Sequence, residues 1–519
     1  MSIRRSRRLG PAALPLFLCA AVALPAAAVA PPRKKPAIRP KAAPATIAAV
    51  GEKLTDSAKY GVYYQGSRIG GMDTRTLELV DNKKPAVRME ARTQMKLTAL
   101  GSVVEVKIEL SHLMDPKGVP LKTWQVSESL GRKTSVTAVY QPDKVVCNLD
   151  AGGSKSVKVV HIPTGIKLMS DPSTSGLSGD KLAVGQKTTL HFFEPTTLSI
   201  IKMESEVTKE EMRDVAGKKV KAFLVVSSSS LLGESQSWVD KDGKLLENME
   251  KLGIQMIRED VPLAGRGLSY QPPKDFAVAT SVVTDVKLPE PRRISALRIR
   301  IDRIPDKSLI LSDTRQRVQI PVGGDRPGAV SGLYDIQTRD LPARCLPLAS
   351  KSDTGVGLGD APFLGIADAE IVRQAAEIVG GETDRGVVAR RIRSWVKAHM
   401  LKPNNVATPR AASEIMKSRD GVCRDYATLY TSLARAAGIP TRVCAGLVYF
   451  QTGFFYHAWA ECRLTDEPDG WYAFDPTLEE DFVDATHVKF AQGDPIDMYA
   501  SIRVVGQIKV DVIEFRKRP

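Results

Sequence analysis

The sequence predicts a multidomain α+β protein, in which a large antiparallel β-rich region is followed by a C-terminal α+β domain. Apolar residues alternate with polar ones through much of residues 53–275, and this period of two is typical of half-buried antiparallel strands. In the C-terminal third the apolar spacing becomes helical. The chain has 519 residues, 43% hydrophobic and 26% charged, which fits several globular domains and excludes a wholly disordered or fibrous protein.

The first 30 residues are predicted to be a secretory signal peptide. A basic segment, residues 4–8, precedes an apolar run that ends in the small residues 26–30. An uncleaved anchor is the weaker alternative, because the run is short and contains Pro15 and Pro25, whereas a spanning helix needs about 20 strongly apolar residues. We therefore expect an exported protein, either periplasmic or secreted.

The formal net charge of +15 comes largely from the N-terminus. Residues 1–50 carry nine Lys and Arg and no Asp or Glu, which leaves +6 for residues 51–519. Residues 31–52 are rich in Pro, Ala and basic residues, and they are predicted to be a disordered linker. No groove-reading motif accompanies the charge, so we expect no nucleic-acid partner and at most peripheral membrane contact.

The first folded domain is predicted to span residues 53–275 as an antiparallel β-rich unit. Tyr60, Val62 and Tyr64 share one face of a strand, and Asp242-Gly243 predicts a hairpin because both residues tolerate positive φ. The strand rhythm and this hairpin resemble the curved sheets of envelope proteins related to the lipoprotein-carrier half-barrel. Such a sheet could hold an acyl chain or a peptide, or it could only position the next domain.

Residues 276–362 are predicted to form a small β-rich domain or a linker. Residues 296–301, 308–311 and 317–320 have strand-like patterns. The last domain is predicted to span residues 363–519 and to open with two helices. His399 lies on the apolar stripe of the second helix, so we interpret it as a histidine at the edge of the core.

The most informative segment surrounds Cys423. Tyr426, Leu429 and Leu433 form an apolar stripe at helical spacing, and Gly438 is a natural C-terminal cap. Cys423 therefore lies at or just before the first turn of a helix, where free N–H groups and the helix dipole favour a thiolate. The alternative interpretation is a small buried hydrophobic side chain.

Two further residues complete a possible catalytic set. His457 opens a strand-like segment, and Asp475 lies on a neighbouring strand. A thiol enzyme needs a thiolate, an imidazole that shares its proton and protonates the leaving amine, and a carboxylate that orients the imidazole. We expect no cofactor and no metal, because the sequence has no Cys-x-x-Cys and because His457 and Glu461 lie on a strand rather than on a helix that presents both.

Four sequence blocks resemble the transglutaminase-like superfamily, whose core is a papain-like α+β fold. They cover about residues 365–490, and their letters are Cys423-Arg424-Asp425-Tyr426-Ala427, Ala434-Arg435-x-x-Gly438-Ile439-Pro440-x-Arg442, His457-Ala458-Trp459-x-Glu461 and Trp471-x-x-x-Asp475-Pro476-Thr477. The resemblance implies that Cys423 is the nucleophile, His457 the general acid and base, and Asp475 the orienting carboxylate. Trp459 and Glu461 also match family positions, and we interpret both as structural.

The resemblance implies a thiol enzyme that cleaves or transfers an amide acyl group through a cysteine thioester, and the predicted signal peptide implies its export. The expected substrate is a protein or peptide, with cell-envelope components among the candidates, and peptidase or amidase activity is slightly favoured over protein crosslinking. The alternative is a non-enzymatic envelope binding or scaffold protein with a lipid- or peptide-holding β domain. The presence of Cys423, His457 and Asp475 together favours the enzyme.

An odd number of cysteines follows the signal peptide, and in an oxidising compartment this leaves at least one free thiol. They are Cys147, Cys345, Cys423, Cys444 and Cys462. If Tyr449 pairs with His457 across the predicted hairpin, Cys444 falls opposite Cys462, which predicts a cross-strand disulfide or at least adjacent thiols. Cys147 and Cys345 are a second possible pair without local support.

Overall fold

The computed structural model describes residues 52–518 except 100, 171–181, 216–217, 230, 232, 251, 260–274, 322–329, 349–356, 404–407 and 481–482. The predicted signal peptide and the predicted linker up to residue 51 lie outside the described residues, and both stay predictions. Within the described part of the chain, no helix is long and apolar enough to cross a membrane.

A 14-stranded antiparallel sheet makes up the N-terminal region and confirms the predicted β-rich unit. Its order is β8-β7-β6-β5-β4-β3-β2-β1-β14-β13-β12-β11-β10-β9. The strands are β1 (Lys53–Tyr64), β2 (Ser67–Asp81), β3 (Lys84–Ala99), β4 (Ser102–Met114), β5 (Pro120–Ser129), β6 (Arg132–Tyr140), β7 (Lys144–Ala151), β8 (Ser154–His161), β9 (Lys187–Glu194), β10 (Ser199–Val215), β11 (Lys218–Ser229), β12 (Gly233–Asp240), β13 (Leu245–Glu250) and β14 (Ile254–Arg258).

Local chemistry explains why these strands form where the sequence predicts them. Tyr60, Val62 and Tyr64 are buried on one face of β1, as their alternation indicates. The predicted hairpin between β12 and β13 is confirmed: Gly243 has φ +78°, and Asp240 Oδ1 accepts hydrogen bonds from the backbone N–H groups of residues 242 and 244, both at 2.9 Å. The turn chemistry therefore fixes the register of this pair.

The sheet curls until its two ends approach each other. After β8 the chain returns to β9, where Leu168 forms a parallel bridge with His191 and Met169 N donates to His191 O at 2.8 Å. The tip between β9 and β10 is buried, and Gln125 Nε2 on β5 donates to Thr196 Oγ1 on this tip at 3.3 Å. The sheet thus encloses a buried inner face, whereas the resemblance to lipoprotein carriers stays a prediction.

A smaller 4-stranded sheet, of order β17-β18-β16-β25, follows. Its strands are β16 (Ile294–Ile304), β17 (Gln316–Gln319), β18 (Val330–Gln337) and β25 (Lys509–Lys517), and helix α1 (Phe276–Thr280) and β15 (Val282–Val283) precede them. The predicted strands at 296–301 and 317–320 are confirmed, but the one at 308–311 is wrong. The chain there forms a 3-10 helix, Lys307–Leu309, because Asp306 Oδ1 accepts from Ser308 N at 2.7 Å and caps the turn.

The C-terminal α+β region confirms the predicted fold class. Its helices are α2 (Ala369–Val379), α3 (Arg385–His399), α4 (Ala412–Ser418) and α5 (Cys423–Ala436), and its strands are β19 (Lys402–Pro403), β20 (Asp420–Gly421), β21 (Thr441–Phe450), β22 (Gly453–Arg463), β23 (Trp471–Phe474) and β24 (Val488–Gly493). β15, β22, β21 and β24 are neighbours in a 5-stranded sheet, with β23 also paired to β22. A 3-10 helix, Pro495–Val504, then leads to β25, which belongs to the smaller sheet. The predicted domain limits stay predictions.

The N-terminal sheet packs directly on the C-terminal region. One buried apolar cluster contains Val136 and Ala138 of β6 together with Val422, Cys423 and Ala427. Thr134 Oγ1, on the same strand, donates to Pro409 O at 2.7 Å. The inner face of the first sheet therefore lies against the segment that leads into helix α5.

Candidate active site

Cys423 is the first residue of helix α5, as the sequence predicts. Val422 precedes the helix in an extended conformation, and its N–H donates to Asp425 Oδ2 at 3.0 Å. The carboxylate of Asp425 thus satisfies a backbone donor and places negative charge in the first turn, where the helix dipole favours it. Cys423 itself is only 3% exposed.

A chain of ion pairs holds this helix start and reaches the N-terminal sheet. Arg410 Nη2 lies 3.1 Å from Asp425 Oδ2, and Arg410 Nη1 lies 2.8 Å from Asp420 Oδ1. Burial alone would lower the pKa of Arg410, but the two carboxylates raise it. Arg132 of β6 pairs with Asp420 at 3.2 Å and with Glu414 at 2.8 Å. The position of Cys423 is therefore tied to both parts of the molecule.

His457 lies on β22, opposite Gly446 of β21. Gly446 is required where β21 and β24 meet, because a Cβ at this position would lie 1.8 Å from Val488 O. His457 Nε2 forms a hydrogen bond with Asp475 Oδ2 at 2.7 Å. Burial lowers the pKa of His457, but the charges of Asp475 and Cys423 and hydrogen bonding outweigh burial and raise it to about 10.

The other ring nitrogen of His457 remains available for the thiol. Nδ1 is buried and has no hydrogen-bond partner at standard geometry within the described residues. Because Asp475 occupies Nε2, Nδ1 is the nitrogen left to exchange a proton with Cys423, whose charge contributes to the raised pKa of His457. Catalytic hydrogen bonds are often long without substrate and tighten when it binds. The structure thus brings Cys423, His457 and Asp475 together.

Asp475 follows β23 and is held on both carboxylate oxygens. Oδ1 accepts from Thr477 N at 2.8 Å and from Thr477 Oγ1 at 2.5 Å. Oδ2 accepts from His457 and, at 3.2 Å, from Nε2 of His487. Burial would raise the pKa of Asp475, but the histidines hold it well below its ordinary value. Asp475 is therefore an ionised acceptor at neutral pH.

Sequence reasoning missed His487 and gave Thr477 no role. Thr477 lies in one of the four quoted blocks, so the sequence marks its position but does not reveal its hydrogen bonds to Asp475. His487 lies 12 residues after Asp475, immediately before β24. No local motif marks it, because its contact with Asp475 depends on how the connection from β23 to β24 folds back.

Three side chains of this site also carry atoms of the kind that bind metal ions. His457, Asp475 and His487 each offer a ligating atom, and these atoms lie within 4.8 Å of one another among the described residues. Zinc ligands about 2.0–2.1 Å from a tetrahedral ion lie roughly 3.3 Å apart. The 2.7 Å separation of His457 Nε2 and Asp475 Oδ2 is instead that of a charge-assisted hydrogen bond. The expectation of no metal stays a prediction.

Glu461 and Trp459 lie on the same face of β22 as His457. Glu461 Oε2 accepts from Arg442 Nη2 at 2.6 Å and Oε1 from Lys489 Nζ at 2.9 Å. Despite complete burial, these two cations depress the pKa of Glu461 far below its ordinary value. Trp459 is fully buried and its ring lies 5.2 Å from that of His487. Both residues therefore have a structural role next to the site.

The predicted disulfides are wrong, since all five cysteines in the described residues are free thiols. The turn between β21 and β22 is only Gln451-Thr452, so Tyr449 pairs with Phe454 and not with His457. The observed pairing of β21 with β22 is therefore shifted by three residues from the predicted pairing. Because side chains alternate, this odd shift puts Cys462 on the opposite face from Cys444. Cys462 Sγ lies 3.3 Å from Tyr430 Oη on helix α5. Cys147 lies on β7 and Cys345 outside the sheets, and each is also free.

A cysteine at a helix N-terminus beside a histidine held by an ionised aspartate defines the general class of thiol enzymes. Residues 372–476 match the family model described as the transglutaminase-like superfamily. The chain therefore contains a transglutaminase-like domain, as its four sequence blocks indicate. The matched segment includes Cys423, His457 and Asp475 but ends before His487.

Three solved structures are similar to parts of the chain. A "Putative Cysteine Protease" from Cytophaga hutchinsonii is 17% identical, with a TM-score of 0.28, and the match covers 43% of this chain and 86% of that one. A β-barrel-like protein of unknown function from Brucella abortus is 10% identical (TM-score 0.28; 39% and 94% covered). A "putative protease" from Parabacteroides distasonis is 10% identical (TM-score 0.19; 76% and 69% covered). No curated protein matches the chain.

Proposed function

We propose that this protein is an exported thiol enzyme that cleaves or transfers an amide acyl group through a thioester on Cys423. The observation that carries the proposal is the position of His457, whose Nε2 bonds Asp475 at 2.7 Å while its charge is coupled to Cys423. The raised pKa of His457 makes the ring an imidazolium at neutral pH. It can therefore give a proton to a leaving amine.

The reaction proceeds in two steps. The sulfur of Cys423 attacks the amide carbon, the C–N bond breaks, and the leaving nitrogen takes the Nδ1 proton of His457. His457 then removes a proton from the incoming nucleophile, which displaces sulfur from the thioester. Asp475 keeps the second proton on Nε2 throughout, so Nδ1 can serve first as acid and then as base.

Water and an amine are both possible acceptors, and we place water first. Hydrolysis needs no second binding surface for an acceptor chain, so it is the simpler use of a buried triad. The substrate that we propose is a protein or peptide, with components of the cell envelope as the first candidates. Export rests on residues 1–30, and the small charge excess after residue 50 supports neither nucleic-acid binding nor more than peripheral membrane contact.

The proposal is tested by labelling the native protein with iodoacetamide and mapping the adduct by mass spectrometry. Wild-type protein should be carbamidomethylated at Cys423, whereas Cys423→Ala should lose that adduct and all turnover. The matched control is Cys345→Ala, which removes a half-buried thiol of raised pKa and should change neither. Full activity in Cys423→Ala would sink the enzyme assignment.

A second experiment identifies the acyl group. Wild-type protein is mixed with a cell-envelope extract, acid-quenched and digested, and the peptide that contains Cys423 is examined for a thioester adduct. An adduct absent from Cys423→Ala names the substrate class directly. An unmodified Cys423 together with co-purified lipid would instead support the non-enzymatic carrier.

A further inference from the structure

His487 is a fully buried histidine that none of the recognised sequence blocks contains. It lies immediately before β24, and its side chain has no exposed area. Its Nε2 lies 3.2 Å from Asp475 Oδ2, the same oxygen that bonds His457. Two imidazole rings therefore meet on one carboxylate oxygen at the centre of the site.

The far side of His487 faces a second carboxylate. Its Nδ1 lies 3.5 Å from Asp484 Oδ2, and Arg292 Nη1 lies 2.6 Å from the same oxygen. Asp484 Oδ1 accepts from the backbone and the hydroxyl of Thr486, at 2.8 and 2.5 Å. Burial would raise the pKa of Asp484, but His487 and Arg292 lower it to about 2. The His487 ring thus lies between two ionised carboxylates and is hydrogen-bonded to that of Asp475.

We propose that His487 is a positioning residue of the reaction, which fixes Asp475 so that the proton of His457 stays on Nε2. This inference rests on the function proposed above. Asp475 is ionised, so each imidazole must donate an N–H to Oδ2 for both contacts to be favourable. With Oδ1 held by Thr477 and Oδ2 by His487, the carboxylate cannot turn away from His457.

The consequence for chemistry concerns the neutral ring of His457. After that ring has protonated the leaving amine, its one remaining proton can lie on either nitrogen. A fixed Oδ2 keeps the proton on Nε2 and leaves Nδ1 as the base for the second step. Without His487, Asp475 loses one of its four hydrogen bonds, and a fraction of His457 enters the wrong tautomer or rotamer.

The alternative role for His487 is packing alone, because its ring stands edge-on to Trp459 at 87° and 5.2 Å. Two substitutions separate the roles. His487→Phe keeps an aromatic ring against Trp459 but removes the donor to Asp475. His487→Gln loses the ring but keeps an N–H that can reach Asp475, so positioning predicts that Gln restores what Phe loses.

The experiment measures p-nitrophenyl acetate hydrolysis and the iodoacetamide rate at Cys423 in the full chain. His487→Phe should lower kcat by about 10- to 100-fold, the usual effect of removing a hydrogen bond that orients a functional side chain. KM should stay within twofold of wild type. His487→Gln should recover most of kcat. The matched control is His399→Gln, which removes a histidine bonded to Met416 O at 2.7 Å and should leave kcat unchanged.

The melting temperature of each variant is measured as well, because it separates a loss of positioning from a loss of folding. Full kcat in His487→Phe would overturn the positioning role. So would an equal loss of kcat in His487→Phe and His487→Gln, if each loss is proportional to the decrease in melting temperature of that variant. If His487→Phe does not fold, His487→Asn takes its place, because its amide is one carbon too short to reach Asp475. Wild-type turnover that survives in Cys423→Ala would refute the proposed function instead, and would do so without reference to His487.

Discussion

Replacing Glu461 with Gln is expected to destabilise the C-terminal region by about 3–5 kcal/mol, the cost of leaving one partner of a buried ion pair alone. The Glu461 side chain is 4% exposed, and its two partners are 2% exposed at Lys489 and 15% exposed at Arg442. Once the carboxylate is neutral, the Lys489 ammonium retains only Asp313, whose Oδ2 lies 2.6 Å away. The buried Lys489 and the partly buried Arg442 have then lost the carboxylate that paired with both.

The size of the effect can be read from thermal unfolding. A loss of 1 kcal/mol lowers the melting temperature of a domain of 150–250 residues by about 2–4 °C, so the expected decrease is roughly 6–20 °C. Scanning calorimetry on the purified protein measures it. The matched control is Glu479→Gln, which removes a carboxylate 88% exposed and paired with Lys397 at 2.6 Å, and which should cost about 0–1 kcal/mol.

The dependence on pH gives a second check with a defined sign. The folded-state pKa of Glu461 lies far below the ordinary value of 4.5, so its stabilisation is complete above that value. It is lost only as the pH falls from about 4.5 toward the folded-state pKa. The difference in melting temperature between wild type and Glu461→Gln should therefore be equal at pH 7 and pH 5 and smaller at pH 3. A shift at pH 7 no larger than that of Glu479→Gln would refute the reasoning.

Three further outcomes are expected. Asp475→Asn should lower p-nitrophenyl acetate turnover by a factor on the order of 10³, because its amide no longer holds the required proton on His457; a loss below tenfold would contradict this. After urea denaturation without reductant, the five cysteines beyond residue 30 should all react with N-ethylmaleimide, and intact mass showing three adducts would mean that Cys444–Cys462 or another pair is oxidised. Arg132→Met should raise the rate at which iodoacetamide modifies Cys423 about fivefold. This factor is equivalent to ~1 kcal/mol of lost contact between the N-terminal sheet and the start of helix α5. The control Lys133→Met replaces a side chain that is 65% exposed and should leave the rate unchanged.

Local sequence signals predict the parts of this site that local chemistry builds. The helix start at Cys423 follows from an apolar stripe and a C-terminal cap, and the structure begins α5 at that residue. The hairpin at Asp242-Gly243 is confirmed as well, but only Gly243 has positive φ, and the carboxylate of Asp240 holds the rest of the turn. Composition and periodicity also give the large antiparallel region correctly.

Features that depend on long-range pairing are not available from local patterns. The return strand was predicted to begin at His457, whereas β22 begins at Gly453, and this difference moved every cross-strand neighbour by three positions. The strand predicted at 308–311 failed because the side chain of Asp306 competes for the backbone N–H of Ser308. His487 was missed because a residue that acts through Asp475 needs no motif of its own.

The alternation of side chains on β22 explains how one strand serves both the helix and the catalytic set. Ala458 and Ala460 face inward with the apolar residues around α5, and their small size lets the helix pack closely on the strand. His457 and Glu461 occupy the other set of positions, where Asp475 and Lys489 neutralise them. Since Cys423 is carried on the first turn of α5, the distance between helix and strand sets the distance between thiol and imidazole. We therefore expect the two alanines to influence the proposed catalysis through this spacing, although neither has a reactive group.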